Sequence, residues 1–431
     1  MKRFVLACGA IATGFVSPLA AQKVTLRDRI TDLFAFGSCG HPLCLDGSVS
    51  AANGHGDHFL PDLALENAAV ISFLTGSIAA NISNAPATAS PSGATYRFVG
   101  GLPVKTSESV GPIFAERAQT LGRGRFLIGA RLSTENLSTL REVPLDGLNL
   151  NFTHQDVAPA GLGDPLLEND VLEVDLAMEL GLDVTSFFVT YGLTNRVDLS
   201  LVVPVVHTSM QARANAQIHT FGPTAVHFFS GTPEDPGLLA TAATFGSSTG
   251  IGDLAFRAKA NLYAGDHFAL GLLGDLRFPT GDEDNFTGAG STSFRALMAG
   301  SARFGTFSPH LNAGYLFRGG ESRNDVVLVT TGFDQPLSPW ATLAVEMVSE
   351  WQPGANKILL PGTVTFDIPF HRTAEPTNIP DTRDHRMLTS IGAKFRTSDN
   401  GPVLIGSMLV PVIRGGLQPA VMWTMGLDFG F

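Results

Sequence analysis

The sequence predicts an all-β fold, a transmembrane antiparallel β-barrel of about twelve strands with an N-terminal mixed or helical region that plugs the barrel or sits in the periplasm. Three observations predict it. Segments with apolar residues at every second position recur from residue 125 to the C-terminus, and such alternation puts an apolar and a polar face on one strand. The chain is 44% hydrophobic and only 16% charged, yet beyond its first twenty residues no apolar run is long enough for a spanning helix. Long and short connections alternate down the chain, as a barrel with long outer loops and short inner turns requires.

The 47 glycines and 30 phenylalanines fit tight turns, a crowded lumen and a lipid-facing wall. A net charge of −11 argues against a nucleic-acid partner. Lys2 and Arg3, the apolar run Phe4 to Val16 and Ala20-Ala21 predict a signal peptide over residues 1–21, hence export. Cys8 leaves with it. Cys39 and Cys44 then read as a small disulfide loop.

Residues 22–122 form the N-terminal region, and 123–431 the barrel. Val24, Leu26, Ile30, Leu33 and Phe34 predict a short amphipathic helix. Asn53-Gly54-His55-Gly56-Asp57-His58 carries possible metal ligands but reads as a polar turn, so no metal or cofactor is expected. Leu65 to Ile82 predicts a second helix, Asn84 to Gly93 a linker, and Thr95–Phe98 with Pro103–Thr106 a hairpin. The tract Val110 to Arg117 is close enough to the first strand to turn back into the barrel. At least part of residues 95–122 is therefore expected to lie inside the lumen and to pair with wall charges such as Glu173, Asp175 or Arg257.

The first strand, Arg125 to Leu132, points Phe126, Ile128, Ala130 and Leu132 outward. Leu172 to Val184 opposes its apolar residues to Glu173, Asp175, Glu179 and Asp183. Four carboxylates cannot face a dry core unpaired, so they are expected to face a wet lumen or a basic plug. Val197 to Val205 follows, then strands near 254–262, 268–278, 294–304, 311–318, 326–333, 343–351, 391–396 and 403–412. The phase of 326–333 is unclear, and in 403–412 it is lost among apolar residues. Lumen-facing cations are then Arg125, Arg131, Arg257, Lys259, Arg277, Arg295, Arg303, Arg318, Lys394 and Arg396. They face Asp253, Asp275, Glu346 and Glu350 besides the four carboxylates above. Mixed signs predict salt-bridge ladders rather than a charge-selective filter. Long loops are expected at Glu135–Asp170, Ala214–Thr249 and Gln352–His385.

The last strand puts Val421, Trp423, Met425, Leu427, Phe429 and Phe431 on one face. Thr424, Gly426, Phe429 and Phe431 resemble the pattern that ends many outer-membrane barrels, where it is the signal read by the barrel-assembly machinery. Outer-membrane lipid and that machinery are the partners this resemblance implies. No nucleophile elbow or helical zinc pair occurs, so no enzyme is expected, although His154, His207, His219, His227, His310, His371 and His385 are candidate bases. The acidic tip Asp282-Glu283-Asp284-Asn285 reads as solvated, with calcium binding as the alternative.

Tyr191-Gly192-Leu193-Thr194-Asn195-Arg196-Val197-Asp198, Gly250-Ile251-Gly252-Asp253-Leu254 with Arg257 and Lys259, and Phe278-Pro279-Thr280-Gly281 carry a further resemblance. They resemble turn and strand motifs of the phenol-degradation meta-pathway family of outer-membrane transporters, distantly similar to long-chain fatty-acid transporters. Over residues 186–431 this implies passive uptake of small molecules, hydrophobic and aromatic ones among them, across the outer membrane. The lumen hatch of the fatty-acid transporters favours a plug for 22–122. The alternative is a structural or adhesive barrel whose outer loops bind a partner. No substrate-binding residue transfers from the resemblance.

Overall fold

A computed structural model describes residues 24–37, 40, 43–45, 59, 78, 96–99, 102–105 and 110–431, the last stretch without 155–168, 223–224, 321–322, 358, 361, 368–369 and 399–400. The expected signal peptide, the Asn53 to His58 turn, the linker, Cys39 and nearly all of the expected second helix lie outside these residues.

Twelve strands close the barrel: β1 Phe126–Leu140, β2 Val171–Gly192, β3 Val197–His219, β4 Leu254–Ala264, β5 Phe268–Phe278, β6 Ser293–Ala302, β7 Ser308–Arg318, β8 Val326–Ser338, β9 Ala341–Trp351, β10 Arg386–Arg396, β11 Val403–Arg414 and β12 Leu417–Gly430. Each pairs antiparallel with the next, and β12 returns to β1 with Leu427 opposite Ala130 and Phe429 opposite Ile128. Phe126 and Phe431 exchange two backbone hydrogen bonds of 2.9 and 3.0 Å, so the chain ends inside the seam that closes the wall. Short turns at 193–196, 265–267, 303–307, 339–340 and 397–402 gather at one end. The long connections lie at the other, together with one tight turn at Gly415-Gly416, where Gly416 takes a φ of +65°.

The outer wall is apolar. Phe268 and Phe278, at the two ends of β5, are both exposed, with Leu272 between them. Along a strand tilted by about 40°, their separation spans roughly 25 Å, the height of a lipid-facing band. Phe294 beside Phe317 continues the ring of aromatics at the long-loop end, and Trp340 beside Phe395 continues it at the other.

β2 and β3 are much longer than that band, 22 and 23 residues. Their outward faces change character along their length. On β3, Val197, Leu199, Leu201, Val203 and Val205 give way to His207, Ser209, Gln211, Arg213, Asn215 and Gln217, while the inward residues stay buried. On β2, the outward residues are Phe187 and Val189 below, and Glu173, Asp175, Glu179 and Asp183 above. The last four were expected in the lumen, and the structure reverses them. Beyond the band, water and not lipid bathes the outer surface, so the carboxylates turn outward and Leu172, Val174, Leu176 and Met178 turn in. The expected loops Glu135–Asp170 and Ala214–Thr249 are shorter for the same reason, because β1, β3 and an added strand, Leu239–Ile251, occupy part of them.

The inward apolar face of this extension encloses a core. A helix, α1 Leu26–Thr31, and the 3-10 turn Asp32–Phe34 sit against it, as the amphipathic pattern predicts. Thr25 and Asp28 close a reciprocal cap on the helix start. Phe34 and Phe36 lie 5.6 and 5.1 Å from Phe152 on the short strand Leu148–Thr153, among fully buried Ile30, Leu43 and Phe59. The far edge of that short strand is covered by the loop after β9, with Asn151 donating to the Pro376 carbonyl at 2.8 Å. Cys44 is disulfide-bonded. The expected hairpin is present as Tyr96–Val99 paired with Leu102–Lys105.

The terminal aromatics stand outside on the seam strand, 40% exposed at Phe429 and 62% at Phe431. Replacing both with alanine is expected to lower the amount of heat-modifiable, folded barrel recovered from membranes. Unchanged yield and mobility would show that the segment has no special role in assembly.

Candidate functional site

A segment without regular structure, residues 110–122, runs from the wall near β9 and β10 to the start of β1. Residues 110–118 are all buried. Its backbone is held by side chains that point inward from the wall. The Glu346 carboxylate on β9 accepts from the amides of Ile113 at 2.9 Å, Phe114 at 3.0 and 3.1 Å and Ala115 at 2.7 Å. Asn312 on β7 accepts from the Glu116 amide at 2.5 Å and donates to its carbonyl at 2.9 Å. Ser301 accepts from Ala118, Asn261 donates to the Ala118 carbonyl, and Asp198 accepts from Leu121. Lys394 donates to the Pro112 carbonyl. The segment is therefore a strap across the lumen, tied to β3, β4, β6, β7, β9 and β10.

Charge pairing follows the strap. Glu116 lies 3.9 Å from Arg257 and 4.0 Å from Lys259, and Lys259 is 3.9 Å from Asp198. Arg117 reaches Asp334 at 3.3 Å. His310 sits 3.4 Å from Glu346 and 3.7 Å from Asp334. Two glycines make room. A methyl on Gly271 would meet Ala118 at 3.0 Å, and one on Gly392 would meet Ile113 at 2.5 Å. The strap also explains the nearly all-apolar strand 403–412. Val403, Ile405 and Leu409 face inward and pack with Val110, Ile113 and Phe114, so both faces of β11 meet apolar surroundings.

Of the expected wall partners of this segment, Arg257 pairs with it. Glu173 and Asp175 do not; they accept hydrogen bonds from Asn149 on the outer face, and Glu173 also pairs with His219. Arg131 faces the lumen and binds Asp428 through two contacts of 2.5 and 2.7 Å. Asp275 collects Arg257 at 2.8 Å, Arg295 at 2.5 Å and Arg277 at 3.7 Å. Arg303 lies at a short turn, beside the Asp266 carbonyl, and not on the lumen wall. Arg125 lies just before β1. Thr424 meets Ser407 by a hydrogen bond, and Gly426 underlies the Arg131 side chain. The acidic tip is tied down by Arg27, which reaches Glu283 and Asp284 at 3.0 Å each, and by Arg323 near Glu283. Among the described residues no group of His, Cys, Asp and Glu is arranged to hold a metal ion. Of the candidate base histidines, His154 and His227 lie 4.9 Å apart, both against Phe59, with His227 paired to Asp170; His371 pairs with Asp367 and His207 with Thr249.

Above the strap, on the side of β5 to β10, lies a cavity. Phe114 and Glu116 line its floor side. Sequence reasoning misses Arg386 in its wall because the alternation places the strand from Ile391; apolar Met387, on the same outward face as Ile391, is the signal.

The model of a family described as a putative MetA pathway of phenol degradation matches residues 152–360. The match covers just under half of the chain. It runs from the short strand ahead of β2 into the loop after β9, and so takes in Asp275, Asn312 and Glu346 of the lumen but not the strap. Three solved structures are similar at low identity. An outer membrane channel from Pseudomonas putida F1 is 10% identical, with 73% of this chain and 98% of that one covered and a TM-score of 0.41. A FadL homologue from Pseudomonas aeruginosa is 10% identical, with 71% and 89% covered and a TM-score of 0.32. A mutant of the TodX monoaromatic hydrocarbon channel is 9% identical, with 72% and 90% covered and a TM-score of 0.32. No curated protein matches the chain.

Proposed function

We propose that this protein is an outer-membrane channel for passive uptake of small molecules, hydrophobic and aromatic ones among them, with the N-terminal region acting as its lumen plug. The observation that carries the reading is the strap. A wall that commits Glu346, Asn312, Ser301, Asn261 and Asp198 to hold one unstructured segment across the lumen is built to control passage. A purely structural barrel needs only side chains to fill its interior. The family match over residues 152–360 and the apolar outer band support an outer-membrane site. The rival, an adhesive barrel through which nothing crosses, assigns the strap a packing role only.

Deleting residues 22–121 removes the strap and is expected to raise single-channel conductance in planar bilayers several-fold. A barrel that assembles without the segment and conducts no better would favour the rival. Orientation has its own test. With the long connections outside the cell, cysteines at Gln211 or Glu179 should react with an impermeant maleimide on intact cells, and one at Asp266 should not. The opposite pattern would invert the barrel.

A further inference from the structure

We propose that the lumen cavity above the strap takes an amphiphilic organic anion, a carboxylate on an aromatic or short aliphatic body, with its charged group at Arg386. The inference rests on the channel reading and names the class of molecule that the same site admits.

The cavity is lined by five arginines, Arg277, Arg295, Arg318, Arg323 and Arg386, against two carboxylates, Glu116 and Glu350. The carboxylates nearby are already committed. Asp275 serves three guanidinium groups, those of Arg257, Arg277 and Arg295. Glu350 stands directly across from Arg386 in the β9–β10 register, yet it turns to Arg318 at 3.3 Å. Arg386 is 6% exposed, and its side chain makes no hydrogen bond or ion pair with any described residue. A buried guanidinium without an anion is costly, and a bidentate carboxylate fits its fork.

The cations are not spread evenly. Arg277, Arg295, Arg318 and Arg386 sit at the ends of β5, β6, β7 and β10 nearest the long loops. One or two inward positions deeper, the same wall presents Leu297, Leu316, Leu328, Val348 and Leu388, with Phe114 of the strap beyond. A charged rim over an apolar belly matches a molecule with an anionic head and a hydrocarbon body. An inorganic anion would leave the belly unfilled, and a neutral hydrocarbon would leave Arg386 without an anion.

The test uses the full-length protein in phospholipid nanodiscs, so that detergent does not compete, and calorimetric titration with benzoate, benzyl alcohol and acetate. Benzoate is expected to bind at least about tenfold more tightly than either, since it alone offers both halves. Arg386→Gln should remove that margin and Arg386→Lys should keep part of it, with folding followed by heat-modifiable mobility. Glu350→Gln frees the Arg318 guanidinium as a second cation beside Arg386 and should tighten benzoate binding. Equal affinity for benzoate and benzyl alcohol, or a margin insensitive to both Arg386→Gln and Glu350→Gln, would overturn the proposal. The channel reading fails separately: it falls if the strap-deleted barrel does not conduct, whatever benzoate does.

Discussion

Replacing Glu346 with alanine is expected to open the barrel. One carboxylate accepts the amides of Ile113, Phe114 and Ala115 and lies beside His310, so the change strands three buried donors at once. Each buried donor left without an acceptor costs about 1–3 kcal/mol, so the closed strap should lose about 3 kcal/mol or more. That is roughly a hundredfold in the ratio of closed to open states. The readout is single-channel conductance and its open probability in planar bilayers. Glu346→Gln, which keeps one acceptor oxygen, should fall between the two. The strap lies among the wall strands but carries none of their ladder bonds, so the barrel itself should keep its heat-modifiable mobility. A conductance identical to that of the parent protein would mean that Glu346 does not govern closure.

The second large effect concerns the seam. Arg131 on β1 and Asp428 on β12 are 4% and 1% exposed and meet through two short contacts across the strand pair that closes the barrel. Arg131→Ala takes the bidentate partner from a buried carboxylate, a change that costs about 3–5 kcal/mol when the remaining charge stays in place. Because the pair joins the first barrel strand to the last, the loss falls on the step that completes the wall. The expected result is a sharp fall in folded barrel and a lower urea midpoint. The double replacement Arg131→Leu with Asp428→Asn should recover part of the loss, since neither of these two positions then carries a charge, while buried Lys394 loses Asp428 as its counter-charge. A single variant as resistant to urea as the parent would show that the seam does not depend on this pair.

Most of the wall was legible in the sequence. Alternation is a local property, and wherever lipid bathes one face and a wet or charged lumen the other, the side chains of β3 to β7 and β12 record it directly. Val197 to Val205 and Trp423 to Phe431 stand as their pattern says. The sorting of long and short connections likewise follows from chain order alone. The motifs around Tyr191 to Asp198 and Phe278 to Gly281 lie within the stretch that the family model matches, because turn chemistry is also local.

What the sequence could not settle is which medium each face meets. Period-2 alternation on β2 reads the same whether Glu173 points into a lumen or out into water. Only the tertiary structure, by setting the strand's length against the height of the apolar band and by packing Phe34 and Phe36 inside, decides that the leucines go in. The same limit hid the phase of β11, whose inward residues are apolar because the strap covers them. It also hid Arg386, whose meaning lies in a neighbour, Glu350, that turns to another partner. Such features belong to contacts between residues from tens to hundreds of positions apart, and these arise when the wall closes and the strap is laid across it.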